Sequence, residues 1–264
     1  MIPAHLAHYP EAFRIPVFLA VLAVMFTAES LWAKRPWETM RSRRWIFHLT
    51  LTVINTLMTR LLIFAPLVAW IAWVQEWQWG IARFLGLEGI PEILITVLVY
   101  DSYNYWWHRL NHEVPLLWRF HQVHHMDTQV DVTTSLRFHP GELFLAYLAK
   151  AFWVLIWGPS LAAFLVSEMA ITAYAQFHHG NIDFPEKIER ILRWIHMTPR
   201  LHASHHTITP RTRNANYTTI FSLWDRLFGT FREPDPEEMK QLGLSTGRED
   251  YLSFKVMMRT PFYE

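Results

Sequence analysis

The sequence has no cysteine among its 264 residues, which excludes disulfides and thiolate metal sites. Any bound metal must therefore be held by nitrogen and oxygen atoms. Charge is also scarce, because Asp, Glu, Lys and Arg make up 18% of the chain, against about 25% in a typical soluble domain. The formal net charge of +1 gives no reason to expect a nucleic-acid partner.

Apolar and aromatic residues take the place of the missing charge. Hydrophobic residues make up 52% of the chain, which includes 14 Trp and 18 Phe. This balance is typical of a membrane protein. The N-terminal run "MIPAHLAHYPEAF" has no basic segment before its apolar part, so we do not expect a cleaved signal peptide. The first apolar helix is expected to stay in the mature protein.

Four apolar stretches approach or exceed the roughly 20 residues that a helix needs to cross a bilayer. They are 13–33, 46–74, 90–110 and 143–177. The second contains Pro66, which favours a kink, and the fourth is interrupted by Gly158-Pro159-Ser160, which predicts a hairpin through the membrane. We therefore expect an all-α integral membrane protein with about four transmembrane helices, the hairpin included.

The charges of the first loop predict the orientation of the chain. This loop carries Lys34, Arg35, Arg41, Arg43 and Arg44 against the single acid Glu38. Such a basic excess places a loop on the cytoplasmic side. Counting onward, the third span and the hairpin return to that face, so the histidine clusters are expected to meet in a helical domain there. A bacterial inner membrane and an endoplasmic reticulum membrane both fit. The patch Arg41, Arg43 and Arg44 is expected to bind lipid headgroups, with docking of an acidic electron donor as the alternative.

Most of the histidines fall in four short motifs, "HRLNH", "HQVHH", "FHHGN" and "HASHH". The candidate metal ligands in them are His108, His112, His121, His124, His125, His179, His202, His205 and His206. Helix residues three or four apart share a face, whereas adjacent residues point about 100° apart. An HxxHH box can therefore serve two neighbouring metals. The two HxxHH boxes and the HxxxH box supply more imidazoles than the roughly four to six ligands of one transition metal, so two metals are predicted.

The remaining histidines are assigned with less specificity. One of His178 and His179 is expected to be a ligand and the other to orient it, since ligating histidines need a partner for the second ring nitrogen. His139 in "RFHPGE" is balanced between those two roles. The isolated histidines are expected to act as hydrogen-bonding polar groups: His5, His8, His48 and His196.

The number of imidazoles bears on the choice of metal. All-nitrogen ligation suits Zn, Cu, Ni or Fe, but a structural zinc site needs only four ligands. A redox pair such as iron accounts for the excess. At a membrane face, such a pair is placed for attack on a lipid C–H bond.

The segments "DSYNYWWHRLNH", "LWRFHQVHH", "TSLRFHPGE", "FHHGNI", "TPRLHASHH" and "NYTTIFSLWDRLFGTF" resemble the fatty acid hydroxylase and sterol desaturase superfamily of membrane di-iron oxygenases. The resemblance covers roughly residues 40–232. It implies an all-helical membrane fold capped by a cytosolic, histidine-lined centre with two iron ions. It also implies O2 as co-substrate and two electrons from a reductase, a ferredoxin or a cytochrome. Hydroxylation of a fatty acyl, alkyl or sterol C–H bond is the first expectation, and desaturation is the alternative.

The family pattern carries over to this chain box by box. His108 and His112 fill the first box, and His179 matches the isolated ligand between the boxes. The two HxxHH boxes are filled by His121, His124 and His125 and by His202, His205 and His206. Thr218 departs from the family, which often has glycine there. The residues expected to orient the ligands are Asp101, Asn181, Asn216 and Asp225. Asp225 is favoured among them, because a carboxylate can accept an imidazole N–H.

The chain is interpreted as one domain, 1–264, with a family-like core at 40–232 and a short polar tail at 233–264. In the tail, "DPEE" predicts a capped helix start. Trp106, Trp107 and Trp118 are expected to line the mouth of an apolar pocket or to anchor the chain at the membrane interface.

The alternative hypothesis is that the chain is a membrane protein without enzymatic activity. A haem carrier needs histidines that face each other within the bilayer. The segment "FHPGE" is similar to a cytochrome b5 haem motif, but no small acidic domain with a second haem histidine surrounds it. A metal transporter would line a membrane path with ionisable groups. The candidates for such a path are Arg60, Asp101, Lys150 and Glu168.

Overall fold

The computed structural model describes residues 11–59, 63 and 65–263, with side chains from residue 14 onward in those ranges. His5, His8 and Arg60, to which the sequence assigns roles, lie outside the described residues.

The described chain is helical, and the pairings between extended segments within it are two isolated bridges, His196 to Phe221 and Thr207 to Leu242. The first eight helices are α1 (Glu11–Trp32), α2 (Arg41–Thr59), α3 (Ala65–Glu76), α4 (Ile81–Phe84), α5 (Gly89–Glu113), α6 (Pro115–His125), α7 (Pro140–Trp157) and α8 (Leu161–His179). Five more helices follow, each of ten residues or fewer: α9 (Glu186–Ile195), α10 (Pro199–His205), α11 (Pro210–Arg213), α12 (Leu223–Leu227) and α13 (Phe254–Arg259). The all-α class predicted from the sequence is confirmed.

The described helices follow the predicted apolar stretches closely. α1 covers almost all of 13–33, and α5 contains the whole of 90–110. The described parts of 46–74 lie mainly in α2 and α3, and the residues 60–62 and 64 between these helices are outside the described ranges. Pro66 is the second described residue of α3, and the kink expected there stays a prediction.

The break predicted within 143–177 separates α7 from α8. Gly158 ends α7 in the left-handed region, with φ +69°, and its N–H donates to the Val154 carbonyl at 2.8 Å. A Cβ atom at this position would lie 2.0 Å from the Trp79 carbonyl oxygen, so only glycine fits. The hydroxyl of Ser160 then caps α8 by accepting from the Ala163 N–H at 3.2 Å.

Two of the described helices are long and apolar enough to cross a membrane, Arg14–Trp32 and Pro140–Trp157. Both turn large apolar side chains outward. Val24 is 66% exposed on α1, and Phe152 is 65% exposed on α7. The expected total of four spans remains a prediction.

The main apolar core lies between α3, α5, α7 and α8. Ile71, Tyr100, Val154 and Phe164 are buried within it. α5 packs along α8, and α8 packs along α1. This packing brings the C-terminal turns of α5 and α8, which carry histidines, to the same end of the bundle.

A buried ion-pair network ties α2 to the loop after α6. The Arg44 guanidinium donates to both carboxylate oxygens of Asp127, at 2.6 and 2.9 Å, and to Asp131 at 3.1 Å. All three side chains are fully buried.

The predicted basic surface patch is therefore wrong for Arg44, and also for Arg41, whose guanidinium pairs with Glu29 at 2.8 Å. Of the three arginines in that patch, only Arg43 is exposed.

The C-terminal segment folds back over α6. Tyr251 and Met257 are buried, and the Tyr251 carbonyl accepts from the Arg137 guanidinium at 2.6 Å. The helix start expected at "DPEE" is only a 3₁₀ turn, Glu238–Lys240. The Asp235 carboxylate accepts from the Glu237 N–H at 2.9 Å, which is a local turn contact and does not start a longer helix.

The buried network makes Arg44 a strong test of stability. Arg44→Met would leave Asp127 and Asp131 buried without their counter-charge, and we expect it to lower the free energy of unfolding by about 3–5 kcal/mol. Thermal unfolding of detergent-purified protein measures the loss. Arg43→Met removes the exposed neighbouring arginine and is expected to change stability by no more than about 0.5 kcal/mol. Equal effects of the two substitutions would contradict the buried network.

Candidate metal centre

Four segments deliver histidines to one end of the bundle. The last two turns of α5 carry His108 and His112, and the last turn of α8 carries His179. The end of α6 supplies His121, His124 and His125. α10 supplies His202 and His205, with His206 as the residue that ends the helix.

The nine predicted ligands all meet there, in two groups. The first group is His108, His112, His121, His125 and His205, and the second is His124, His179, His202 and His206. Within each group, one ring nitrogen of every member lies within 4.8 Å of those of the others. Adjacent histidines enter different groups, as the angle of about 100° between helix neighbours predicts. The groups adjoin, since the rings of His125 and His206 stack with centroids 4.4 Å apart.

Backbone carbonyls fix the orientation of four of these rings. The Nδ1 atoms of His108 and His205 lie 2.7 Å from the carbonyl oxygens of Tyr217 and Ala215. In the second group, the Nδ1 atoms of His124 and His179 lie 3.2 and 2.6 Å from the carbonyls of Arg137 and Ala175. A carbonyl can only accept, so the proton of each neutral ring is on Nδ1 and its Nε2 carries a free lone pair.

Those lone pairs face one another at short distance. Nε2 of His108 lies 3.0 Å from Nε2 of His205, and Nε2 of His124 lies 3.1 Å from Nε2 of His179. His202 continues the series, with its Nε2 at 2.9 Å from that of His179. Two acceptors cannot form a hydrogen bond with each other, and facing lone pairs repel. An ion that accepts both lone pairs removes this repulsion.

Burial keeps the rings neutral. It lowers the pKa of His124 and His125 well below the ordinary value, because the charged form loses its hydration, and neighbouring imidazoles lower it further. The same causes lower the pKa of His202, His205 and His206. Neutral imidazole is the form that binds a metal.

The distances also fit the donor set to an ion. Two nitrogens about 2.1 Å from a shared ion lie about 3.0 Å apart at a right angle, and about 3.4 Å apart at a tetrahedral angle. The observed separations of 2.9 to 3.1 Å match the right angle. These separations therefore fit the right angles of octahedral or square-planar coordination better than a tetrahedral zinc. The nine imidazoles, seven of them buried and His108 and His112 half-buried, fit a pair of iron ions in this respect.

The carboxylate that contacts a ligand is not the one that the sequence favours. Asp225 was expected to accept an imidazole N–H. Instead, its carboxylate accepts from the N–H groups of Tyr217 and Thr218 at 2.8 and 3.0 Å and from the Thr218 and Thr230 hydroxyls. The acceptor for His121 Nδ1 is Glu142, at 2.7 Å. Sequence reasoning missed Glu142, although it ends the quoted segment "TSLRFHPGE".

Asp225 instead supports the loop that orients two ligands. The loop 214–218 offers the Ala215 and Tyr217 carbonyls to His205 and His108, and the Asn214 side chain lies 3.3 Å from His112 Nδ1. Thr218, the departure from the family pattern, adds its hydroxyl to Asp225 at 2.6 Å. Threonine at this position therefore adds a hydrogen bond to the turn that glycine could not form.

The other three residues expected to orient ligands also form hydrogen bonds with backbone groups. Asp101 accepts from the N–H groups of Ile220 and Phe221, both at 2.9 Å. Asn216 has φ +57°, and its side chain bonds both backbone groups of Arg232. Asn181 bonds the N–H and the carbonyl of Arg35.

The other histidines within the described ranges lie outside the two groups. The ring of His178 packs against that of His202 at a tilt of 33° with centroids 3.9 Å apart, and its Nδ1 donates to the Thr219 carbonyl at 3.1 Å. His139 caps α7, where its Nδ1 accepts from the Gly141 N–H at 2.9 Å. His48 and His196 bond to Thr133 and Tyr174.

A cavity of about 280 Å³ opens on the histidines. Trp107, Leu136, Phe138 and Ile171 line it beside members of both groups. A second cavity, of about 370 Å³, lies between α1, α2, α7 and α8 and shares the lining residues Phe18, Leu143 and Thr172 with the first. A larger cleft of about 750 Å³ is lined by charged side chains and by none of the nine histidines. Of the three predicted tryptophans, only Trp107 lines the cavity at the centre.

The comparisons with known proteins point to one family. The fatty acid hydroxylase family model matches residues 93–230, which include all nine histidines. The alkylglycerol monooxygenase of Xenopus tropicalis is 31% identical over 193 residues, covering 71% of this chain and 37% of the relative. The ornithine lipid hydroxylase OlsE of Rhizobium tropici is 29% identical over 182 residues, covering 66% and 48%.

A third relative has a sterol in its name. The cholesterol 25-hydroxylase of Mus musculus is 28% identical over 173 residues, covering 58% of this chain and 51% of the relative. The chain thus spans between about a third and a half of the length of these relatives. No solved structure matches the chain.

The grouping of the histidines predicts the metal stoichiometry. We expect metal-free protein to bind about two Co²⁺ ions per chain, because each group offers enough nitrogens for one ion. His179→Ala leaves three rings in its group and is expected to leave about one tightly bound ion per chain. His205→Ala leaves four rings in the other group and is expected to weaken the binding of the second ion without abolishing it. Optical titration with Co²⁺ measures the stoichiometry. His196→Ala serves as the matched control, since His196 lies outside both groups, and should still bind two. One ion in wild type, or two in both group variants, would contradict the grouping.

The loop held by Asp225 predicts an indirect effect on metal affinity. Asp225→Asn replaces one acceptor oxygen with an N–H donor that faces other donors, so the loop should no longer hold the Tyr217 and Ala215 carbonyls in place. We expect a loss of about 10- to 100-fold in Co²⁺ affinity, measured by competition with a chelator. Asp235→Asn, in the C-terminal segment, controls for loss of one negative charge. Unchanged affinity in Asp225→Asn would show that the loop does not position the ligands.

Proposed function

The chain belongs to the fatty acid hydroxylase family, and from this premise we propose that it is a membrane di-iron oxygenase that hydroxylates a C–H bond of a lipid. The reaction would use O2 and two electrons from an external donor. The relatives whose names carry monooxygenase or hydroxylase support this reaction class. The observation that carries the proposal is the pair of histidine groups with facing Nε2 lone pairs.

The proposed ligand sets follow the two groups. One iron would be held by His108, His112, His121, His125 and His205, and the other by His124, His179, His202 and His206. Bound iron would supply the redox chemistry that activates oxygen towards a C–H bond. The protein's own part is to keep the rings neutral, fixed and dry. Carbonyl acceptors hold the tautomers, Glu142 holds His121, and burial shields seven of the nine rings from water.

The two neighbouring cavities, which share three lining residues, are the proposed lipid site. Their shared apolar residues, Phe18 and Leu143, would contact the hydrocarbon chain. α1 and α7, which contribute these residues, are also the helices that could cross a membrane. A lipid could therefore enter from the bilayer and place one carbon at the histidines. Family membership supports a lipid, and pocket shape would decide between acyl, alkyl and sterol substrates.

We place the histidines at the cytoplasmic face of the membrane in a multi-pass chain. α1 and α7 support two of the spans, and the stretch that contains α2 and α3, together with α5 and α8, would complete the bundle. Lys34 is exposed in the loop between α1 and α2, and Arg43 is exposed in the first turn of α2; both favour the cytoplasmic side. α9, near the centre, exposes Ile188, Ile191 and Trp194, as a helix lying in the membrane interface would.

Desaturation is the nearest alternative, because it begins with the same hydrogen abstraction. Hydroxylation adds one oxygen atom to the product, whereas desaturation removes two hydrogen atoms. Mass spectrometry of the product after reaction with labelled O2 separates them. A metal transporter would instead move ions across the membrane of proteoliposomes in the absence of O2.

The activity test uses iron-loaded protein in detergent or lipid vesicles, with a chemical reductant and O2. We expect a labelled oxygen atom in a lipid product of the wild-type protein. His125→Ala and His206→Ala, one from each group, are expected to abolish the product while expression and detergent extraction stay normal. Lipidomic mass spectrometry is the measurement.

His196→Ala again provides the matched control and should retain the wild-type amount of product. Turnover that is unchanged in both His125→Ala and His206→Ala would overturn the proposed function. If His196→Ala also lost the product, the loss would be an effect of replacing any histidine and not of disrupting the metal centre.

A further inference from the structure

Gln176 is a buried amide that the protein itself leaves unused. It lies one turn before His179 on α8 and is 1% exposed. Its side chain lines the cavity that opens on the histidines. Neither Oε1 nor Nε2 has a hydrogen-bond partner. A buried amide without partners is unfavourable, and a ligand that fills the cavity would supply them.

Three other polar side chains in the middle of the cavity bond to one another, and the amide nitrogen of a fourth donates to the backbone. The Lys150 ammonium donates to Glu168 at 2.7 Å, and the same carboxylate accepts from the Tyr100 hydroxyl. The Asn104 amide donates to the Tyr100 carbonyl at 2.7 Å. These groups therefore have less need of a polar ligand than Gln176.

Further unused acceptors lie at the histidine end of the cavity. Oδ1 of Asn111 and Oε2 of Glu142 also lack partners, and both residues line the cavity. Asn111 follows His108 by one turn on α5, and the other oxygen of Glu142 contacts His121. Unused hydrogen-bonding capacity is thus present close to the metal ligands.

The second cavity, on the side of α1, has a lining that is mainly apolar around its border with the first. Phe18 and Leu143 line both cavities, and Ile15, Leu19 and Met169 add apolar side chains to the second, whose lining also includes Arg14, Asn55 and threonines. A lipid with one polar end would therefore satisfy Gln176 with that end and extend its chain towards α1. The reverse orientation would bury alkyl groups against an unpaired amide.

We propose that Gln176 selects lipids that carry hydroxyl groups beside the carbon that is oxidised. An amide accepts through its oxygen and donates through its nitrogen, so two adjacent hydroxyls satisfy both atoms at once. Helix residues three apart have Cβ atoms about 5–6 Å from each other, which places the hydroxyl end next to His179. This inference rests on the proposed function and names its substrate class as hydroxyl-bearing lipids attacked near their polar end.

The test separates binding from turnover. Three probes with the same chain, 1,2-dodecanediol, 1-dodecanol and dodecane, are titrated into metal-free protein, and binding is measured by quenching of tryptophan fluorescence. In wild type we expect affinity to fall from the diol to the alkane. In Gln176→Met, which keeps the side-chain length but removes the amide, we expect this preference to shrink by about tenfold.

The comparison is made as a ratio between proteins, so that the partitioning of each probe into detergent cancels. Gln122→Met is the matched control, because Gln122 is half-exposed on α6 and its amide donates only to the Arg119 carbonyl at 3.1 Å. It should keep the wild-type preference. Gln176→Asn retracts the amide by one methylene and is expected to fall between wild type and Gln176→Met.

Equal affinities for the three probes in wild type, or a preference that survives both Gln176 substitutions, would overturn the inference. Failure of the proposed function has a different signature. In that case, iron-loaded wild type would give no oxygen-dependent product from any probe, while the preference for the diol persisted in the metal-free protein.

Discussion

The hydrogen bond from an imidazole Nδ1 to a backbone carbonyl is the interaction on which the centre depends. It fixes the tautomer and the orientation of His108, His124, His179 and His205 together, and so directs four Nε2 lone pairs inward. No side-chain substitution removes a carbonyl. The geometry of the centre therefore depends on backbone conformation, chiefly that of the loop 214–218 and of the segment that ends at Arg137.

Those two backbone segments are held by buried carboxylates, which links the stability of the fold to the geometry of the site. Asp225 accepts the N–H groups of the first segment. Asp127 and Asp131 hold the second segment and are neutralised by Arg44 from α2. A buried ion pair is weak evidence for stability by itself, because desolvation offsets the attraction. Here its contribution is to fix the segment that carries the Arg137 carbonyl, the acceptor for His124.

The predictions from the sequence that proved correct rest on local signals. The all-α class, the break at Gly158 and the division of adjacent histidines between two groups follow from helix periodicity and from glycine chemistry. The contacts that were missed join distant parts of the chain. Arg44 meets Asp127 across 83 residues, and Glu142 meets His121 across 21. The same limit explains the wrong role for Asp225: a carboxylate near a histidine box predicts a hydrogen bond, but packing decides which donor reaches it.

The division of adjacent histidines has a further consequence for the centre. The dipeptides His124-His125 and His205-His206 each send one ring to each group. A peptide unit is rigid and fixes the distance between neighbouring α-carbons, so a backbone shift at one group also moves the backbone that carries a ring of the other. α6 and α10 make this connection independently, from two sides of the centre. The spacing between two bound ions would therefore be set by the chain itself, and would not depend on a ligand that bridges them.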